Sequence, residues 1–245
     1  MLAIAVRELR SLFVAPLTWV LLAVSEFLLA YVFLRLLQAF GETQGQLQAL
    51  PGAPGVTRLV AMPLFETCAF ILMLLVPILT MRALAEERRA QTLTLLLSAP
   101  VSALDIVFGK YLGVLGFVLI VVAFAVLMPV TLYAGTTLDH GQLLAGILGL
   151  MLVSGTFVAV GMLASALSTQ PAMAAALAFA VLALLWMLDW GAERSSVFSY
   201  LSVLAHLRVL LRGIVDTQDI MYFVVLGGGC FYFAARRVET LRSPL

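Results

Sequence analysis

Charge is what this sequence has least of. Of 245 residues only 11% are charged while 63% are hydrophobic, against about a quarter charged in an ordinary soluble domain. A chain with so little polar surface cannot stay dissolved as a globular domain. Lysine is nearly missing: Lys110 stands alone beside thirteen arginines, and the formal net charge is +1. The arginines are scattered between apolar segments, which leaves no basic stripe and excludes nucleic acid as a partner. There are two cysteines, Cys68 and Cys230, each inside an apolar stretch, so a disulfide framework or thiolate metal site is excluded and packing is their reading. The two histidines, His140 and His206, fall in segments read as loops. No span therefore offers a histidine to a metal or to an activated serine, which argues against proteolysis within the membrane. A phosphate-cradling loop is missing as well. It requires glycine, four residues and then Gly-Lys-Ser/Thr, whereas Lys110 follows Gly109 but precedes Tyr111, and Leu104 occupies the first glycine position. The chain is not itself an ATPase, and no cofactor site is expected on it.

What is present is a series of long apolar runs. A bilayer core is crossed by about 20 apolar residues in helical conformation, and the sequence offers such runs near 17–37, 59–81, 111–133, 142–167, 172–189 and 218–235. The expected fold class is all-α: a polytopic membrane helical bundle of about six transmembrane helices, forming one domain over 1–245. Residues 2–13 place Leu2, Val6, Leu9 and Phe13 on one helical face and Arg7, Arg10 and Ser11 on another, the pattern of an amphipathic helix lying on a membrane surface. The apolar run after Arg10 is too long for the core of a signal peptide and is read as a retained first span. Residues 38–58, rich in Gln, Gly and Pro, are expected to form an exposed loop. Pro171 suits the first turn of the fifth span. The stretch 197–212 is apolar at helical spacing but short and basic, which predicts a re-entrant or interfacial helix within an outer segment, 190–217. Gly213 is placed to end that helix and Asp216 to cap the next.

Nine of the fourteen basic residues fall near the N-terminus, in 82–110 or in the tail. With six spans these lie on one side, so the positive-inside rule places both termini in the cytoplasm and the chain in the cell inner (plasma) membrane. The segment 82–110 carries Arg82, Glu86, Glu87, Arg88, Arg89, Asp105 and Lys110, too many charges for a bilayer core, where each costs at least a few kcal/mol. It reads as a helix with charges at its start, stopped at Pro100, followed by Ser102 and Asp105 capping a second helix that runs into the third span. Such an elbow is a handle for a cytoplasmic partner. Glu26 and Glu66 are carboxylates within spans, a costly placement that makes both pathway candidates.

These segments resemble the ABC-2 type permeases of ABC transporters, most closely the group associated with gliding motility and nitrous-oxide-reductase maturation. The resemblance rests on three blocks in order: RELRSLFVAPLTWVLL (7–22), the Glu-Glu-Arg-Arg, Thr-Leu and Ser-x-Pro-Val run of 86–101 ending at Lys110, and HLRVLLRGIVDTQDIMYF (206–223). Gln91 and Thr94 stand where the family usually has Gly and Glu. The resemblance implies a transmembrane subunit that couples ATP binding and hydrolysis on a separate ATP-binding subunit, which would hold the ATP and Mg, to export or other work. It implies a second permease chain, identical or related, and leaves room for an accessory membrane or extracytoplasmic protein. It assigns ATPase coupling to Glu86, Glu87, Arg88, Arg89, Thr92, Ser98, Pro100 and Lys110. It marks His206, Arg212, Gly213, Asp216 and Asp219 as an outer motif. The competing class is a stand-alone ion-coupled secondary transporter, which predicts internal repeats and several midplane charges. No convincing repeat is present, and Glu26 is the one clear midplane charge.

Overall fold

The computed structural model describes residues 2–47, 55–86, 102–136, 138–191 and 196–242. Among them there is no strand, and the helices follow in the order α1 (Leu2–Val14), α2 (Pro16–Leu47), α3 (Met62–Thr80), α4 (Ala103–Val130), α5 (His140–Leu167), α6 (Pro171–Met187), α7 (Ser196–Leu201), α8 (Val203–Leu211) and α9 (Thr217–Arg242). Six of the described helices are long and apolar enough to cross a membrane: Pro16–Thr43, Thr57–Thr80, Ala103–Tyr133, His140–Leu167, Pro171–Trp190 and Thr217–Thr240. The fold is thus an all-α polytopic bundle. Because the spans alternate in direction and are even in number, the N-terminus, the end of α3, the start of α4 and the end of α9 share one end of the bundle.

Helix α5 is the hub, packing against α3, α4, α6, α8 and α9. It can do so because small residues let its neighbours approach the backbone. A Cβ at Gly146 would lie 2.9 Å from the Phe65 ring, one at Gly149 would lie 3.0 Å from Leu207, and one at Gly161 would lie 2.8 Å from Thr80 Cβ. Hydrogen bonds reinforce the same helix. The Tyr111 hydroxyl donates to Gly155 O at 3.2 Å, the Thr156 hydroxyl lies 3.3 Å from Phe223 O, and Gln142 Nε2 donates to Leu211 O at 2.9 Å. In hydrocarbon these bonds satisfy groups that have no water to turn to. Helices α2, α6 and α9 give only a few residues to this core, among them Leu29, Leu182 and Phe223, and turn most of their apolar surface outward.

The local stop and start signals take the forms the sequence predicts. Ser102 and Asp105 close a reciprocal capping box, so α4 begins at Ala103 and continues unbroken into its span. Gly213 takes φ +86°, and with its amide donating to Leu210 O at 2.9 Å and that of Ile214 to Val209 O at 3.3 Å it ends α8 in a Schellman turn. Asp216 Oδ1 accepts from the Gln218 amide at 3.1 Å, capping α9.

Two expectations need correction. The stretch 38–58 is not simply an exposed loop, because α2 remains helical to Leu47 and a π-helical turn over Thr57–Ala61 leads into α3. The cause is a small second core in which Val56, Val60 and Leu138 pack with Phe33, Leu36, Leu37 and Phe40. The Asp139 amide donating to Thr57 Oγ1 at 2.9 Å pins that turn to the connection before α5. Nor is either histidine a loop residue: His140 is the first residue of α5, and His206 is buried within a helix. It belongs to α8, whose Val203, Leu204, His206, Leu207, Leu210 and Leu211 are all buried, so the helix is docked against α5, α3 and α6.

Candidate functional site

The bundle concentrates its polar chemistry at its two ends. At the end bearing the N-terminus, α3 stops at Thr80 and the chain turns through 81–84 toward the predicted coupling segment. This turn is held from across the bundle. Ser165 of α5 accepts hydrogen bonds at Oγ from the amides of Leu84 at 3.0 Å and Ala85 at 3.1 Å, and lies 3.4 Å from Met81 O. Ser165, Leu84 and Ala85 are completely buried. The root of the charged segment is therefore tied to the hub helix.

Across the end of this turn Arg82 and Glu86 face each other at 3.9 Å with both side chains more than half exposed, a pair of little energetic weight. Glu87, Arg88, Arg89, Thr92, Ser98 and Pro100 lie outside the described residues. Lys110 is turned inward: its side chain is 6% exposed and its ammonium meets Glu8 of α1 at 3.1 Å. It thereby binds the amphipathic helix to α4, and the backbones come so close that a Cβ at Gly113 would lie 2.6 Å from Glu8 Cβ. Helix α1 buries Ala5 and packs Ile4, Leu9, Leu12 and Phe13 on the core, while Leu2, Val6 and Val14 remain exposed.

The far end holds the outer motif, and there the structure joins residues that the sequence separates widely. Arg208 of α8 reaches Glu66 of α3, with Nη2 at 2.8 Å and Nε at 3.2 Å from Oε1. Its Nη1 donates to Asp189, after α6, at 2.7 Å. The hydrogen bond to Glu66, together with the charges of both carboxylates, pushes the Arg208 guanidinium above its already high ordinary value, although partial desolvation opposes this. One guanidinium thus links three elements in fork geometry. Arg208 and Asp189 were not among the sequence candidates. The signal available was the rarity of an arginine within an apolar helix, but nothing local named its partners.

His206 and Asp219 do come together, Nδ1 to Oδ1 at 2.5 Å, while Nε2 faces Tyr200 O at 3.1 Å. The imidazole also stacks on Tyr222 with centroids 4.1 Å apart. This buried contact locks α8 to the start of α9. Gly213 and Asp216 shape the turn between them, while exposed Arg212 is the C-cap residue that follows α8 and makes only backbone bonds among the described contacts.

The two pathway candidates do not share a site. Glu66 is absorbed in the Arg208 cluster. Glu26 lies within α2, and both carboxylate oxygens are buried with no hydrogen-bond partner among the described residues.

A bundle of six described membrane-length helices, with one end arranged as the root of a charged segment and the other as a braced polar cap, defines a polytopic membrane protein. The sequence matches the family model described as ABC-2 family transporter protein over residues 53–191. The match covers more than half of the chain and includes α3, the charged segment, α4, α5 and α6, so the chain belongs to this family and is an ABC transporter permease. No curated protein matches it.

Proposed function

We propose that this permease is driven by separate ATP-binding subunits that dock on residues 82–110, and that it works in the inner membrane with both termini in the cytoplasm. The observation that carries this reading is the Ser165 contact. A segment attached only through a flexible turn would move without moving the bundle. Here two amides of the turn are held by the helix on which α3, α4, α8 and α9 converge. Displacement of the segment is thereby passed to α5 and, through Gly149 against Leu207 and Leu210, to α8 and its Arg208 cluster. Motion of packed helices as bodies is the ordinary form of such transmission.

In this reading ATP and Mg are bound by the partner subunit, Glu86, Glu87, Arg88 and Arg89 dock it, and Thr92, Ser98 and Pro100 belong to the stretch that passes its motion on. Lys110 contributes by holding α1 to α4. A second permease chain completes the unit, and the gliding-motility and nitrous-oxide-reductase-maturation group is the subgroup it fits best.

The test needs no knowledge of the cargo. In the complex purified with its ATPase and reconstituted, hydrogen exchange over 203–222 is compared with and without ATP while hydrolysis is recorded. The wild type should show an ATP-dependent change at this far end. Glu86→Gln with Glu87→Gln should still insert in the membrane yet lose that change or hydrolyse ATP without it. Coupling equal to the wild type in the double variant contradicts the assignment.

A further inference from the structure

Between the start of α2, the end of α3 and the inner face of α1 lies a cavity of about 320 Å³, within the range of small-ligand sites. Its walls are of two kinds. Leu12, Leu17, Leu21, Ile78 and Leu79 give an apolar floor, and Arg7, Glu8, Arg82, Glu86 and Lys110 give a charged rim. Within the rim Lys110 and Glu8 neutralise each other at 3.1 Å, whereas Arg82 and Glu86 are weakly paired at 3.9 Å, and Arg7 makes no ion pair among the described residues. The rim thus carries one positive charge in excess, with two guanidiniums from different elements available to an incoming anion.

The depth of the cavity narrows the choice of ligand. It is bounded by the first turn of one span and the last turn of the next, where hydrocarbon gives way to headgroups. Trp19, in the same turn of α2 as Leu17 and Thr18, is half exposed and donates from Nε1 to Phe13 O at 2.7 Å; tryptophan favours this interfacial level. The exposed Leu2, Val6 and Val14 of α1 lie alongside, as on a helix resting in the interface.

An apolar floor beneath a cationic rim at headgroup depth fits one chemistry. We propose that this cavity is a binding site for an anionic glycerophospholipid, with its phosphate held between Arg7 and Arg82 and the first segments of its acyl chains on Leu12, Leu21 and Ile78. A bound lipid would join α1, α2 and the root of the coupling segment, so its presence would bear on how firmly α1 is held there. The site does not depend on the ATPase reading and can be tested on the permease alone.

The experiment is native mass spectrometry of the full chain in mild detergent, offered phosphatidylglycerol, phosphatidylcholine or inorganic phosphate as separate probes. Each basic residue near an anionic headgroup contributes about 1 kcal/mol, or about five-fold in affinity. Wild type should prefer phosphatidylglycerol over phosphatidylcholine by about twenty-five-fold, about five-fold for each of the two guanidiniums. Arg7→Gln and Arg82→Gln should each cost about five-fold, and the double variant should approach parity. Arg10→Gln, on the same helix but outside the cavity, controls for general surface charge and folding and should leave the preference intact. Equal loss in Arg10→Gln, or a preference unmoved by the Arg7 and Arg82 variants, overturns the proposal. Displacement of phosphatidylglycerol by millimolar inorganic phosphate overturns it too, since the apolar floor would then have no part in binding.

Discussion

Replacing Ser165 by alanine removes one oxygen and should loosen the root of the coupling segment more than any surface change nearby. The hydroxyl accepts from Leu84 N at 3.0 Å and Ala85 N at 3.1 Å in a fully buried setting. A buried donor left without an acceptor costs about 1–3 kcal/mol. Two donors lose the same acceptor, and partial relaxation of the turn recovers some of the loss, so the expected local cost is about 2–4 kcal/mol. The side chain shrinks by one atom and creates no large cavity, so global unfolding should shift less than local opening. Hydrogen exchange followed by mass spectrometry reads this directly. A 2–4 kcal/mol loss corresponds to about thirty-fold to several hundred-fold faster exchange of the Leu84 and Ala85 amides. Exchange over 110–130 of α4, remote from the contact, should change little and serves as the internal control. Unaltered exchange at Leu84 and Ala85 in Ser165→Ala would refute the claim that this hydroxyl fixes the turn, and with it the proposed route from segment to hub.

Further predictions concern the other contacts. Gly161→Ala places a methyl 2.8 Å from Thr80 Cβ and should cost about 1–3 kcal/mol as overpacking, seen as a lower unfolding midpoint in detergent; adding Thr80→Ala should recover part of it. Lys110→Met leaves the Glu8 carboxylate, 19% exposed, without its ammonium partner and should cost about 3 kcal/mol, while Lys110→Met with Glu8→Met should be less harmful than the single change. At the far end, a double-mutant cycle of Glu66→Gln and Arg208→Gln should give a coupling of about 1 kcal/mol, since Arg208 is 40% exposed and solvent screens the pair. That coupling should shrink in 1 M salt, and a salt-independent value would show that packing and not charge holds α8 there.

The parts of this fold that could be read from sequence are those written in neighbouring residues. Ser102 with Asp105, Gly213, Asp216 and Pro171 act within one turn of helix, so their caps and stops follow from residue type. The six membrane-length helices follow from run length against bilayer thickness. The parts that could not be read depend on pairs far apart in the chain. Glu66 and Arg208 are separated by 142 positions, and neither residue's neighbours specify the other. Lys110 looks like one more charge of a cytoplasmic segment until α1 folds over α4 and brings Glu8 to it. Polar composition made 38–58 resemble a loop, yet Phe40 and Val56 of that stretch join the second core with Val60 and Leu138, and tertiary packing overrode local preference. His206 was misplaced for a related reason, since a short basic helix carries no local sign that Asp219 and Tyr222 will bury it.

The central claim is that this permease is moved by an ATPase it does not contain. Affinity purification of the chain from mild detergent, with mass spectrometry of what copurifies and an assay of ATP hydrolysis, tests it most directly. The account predicts a stoichiometric partner with a phosphate-binding loop, whose retention weakens in Glu86→Gln with Glu87→Gln. A pure oligomer of this chain that transports without ATP would contradict it.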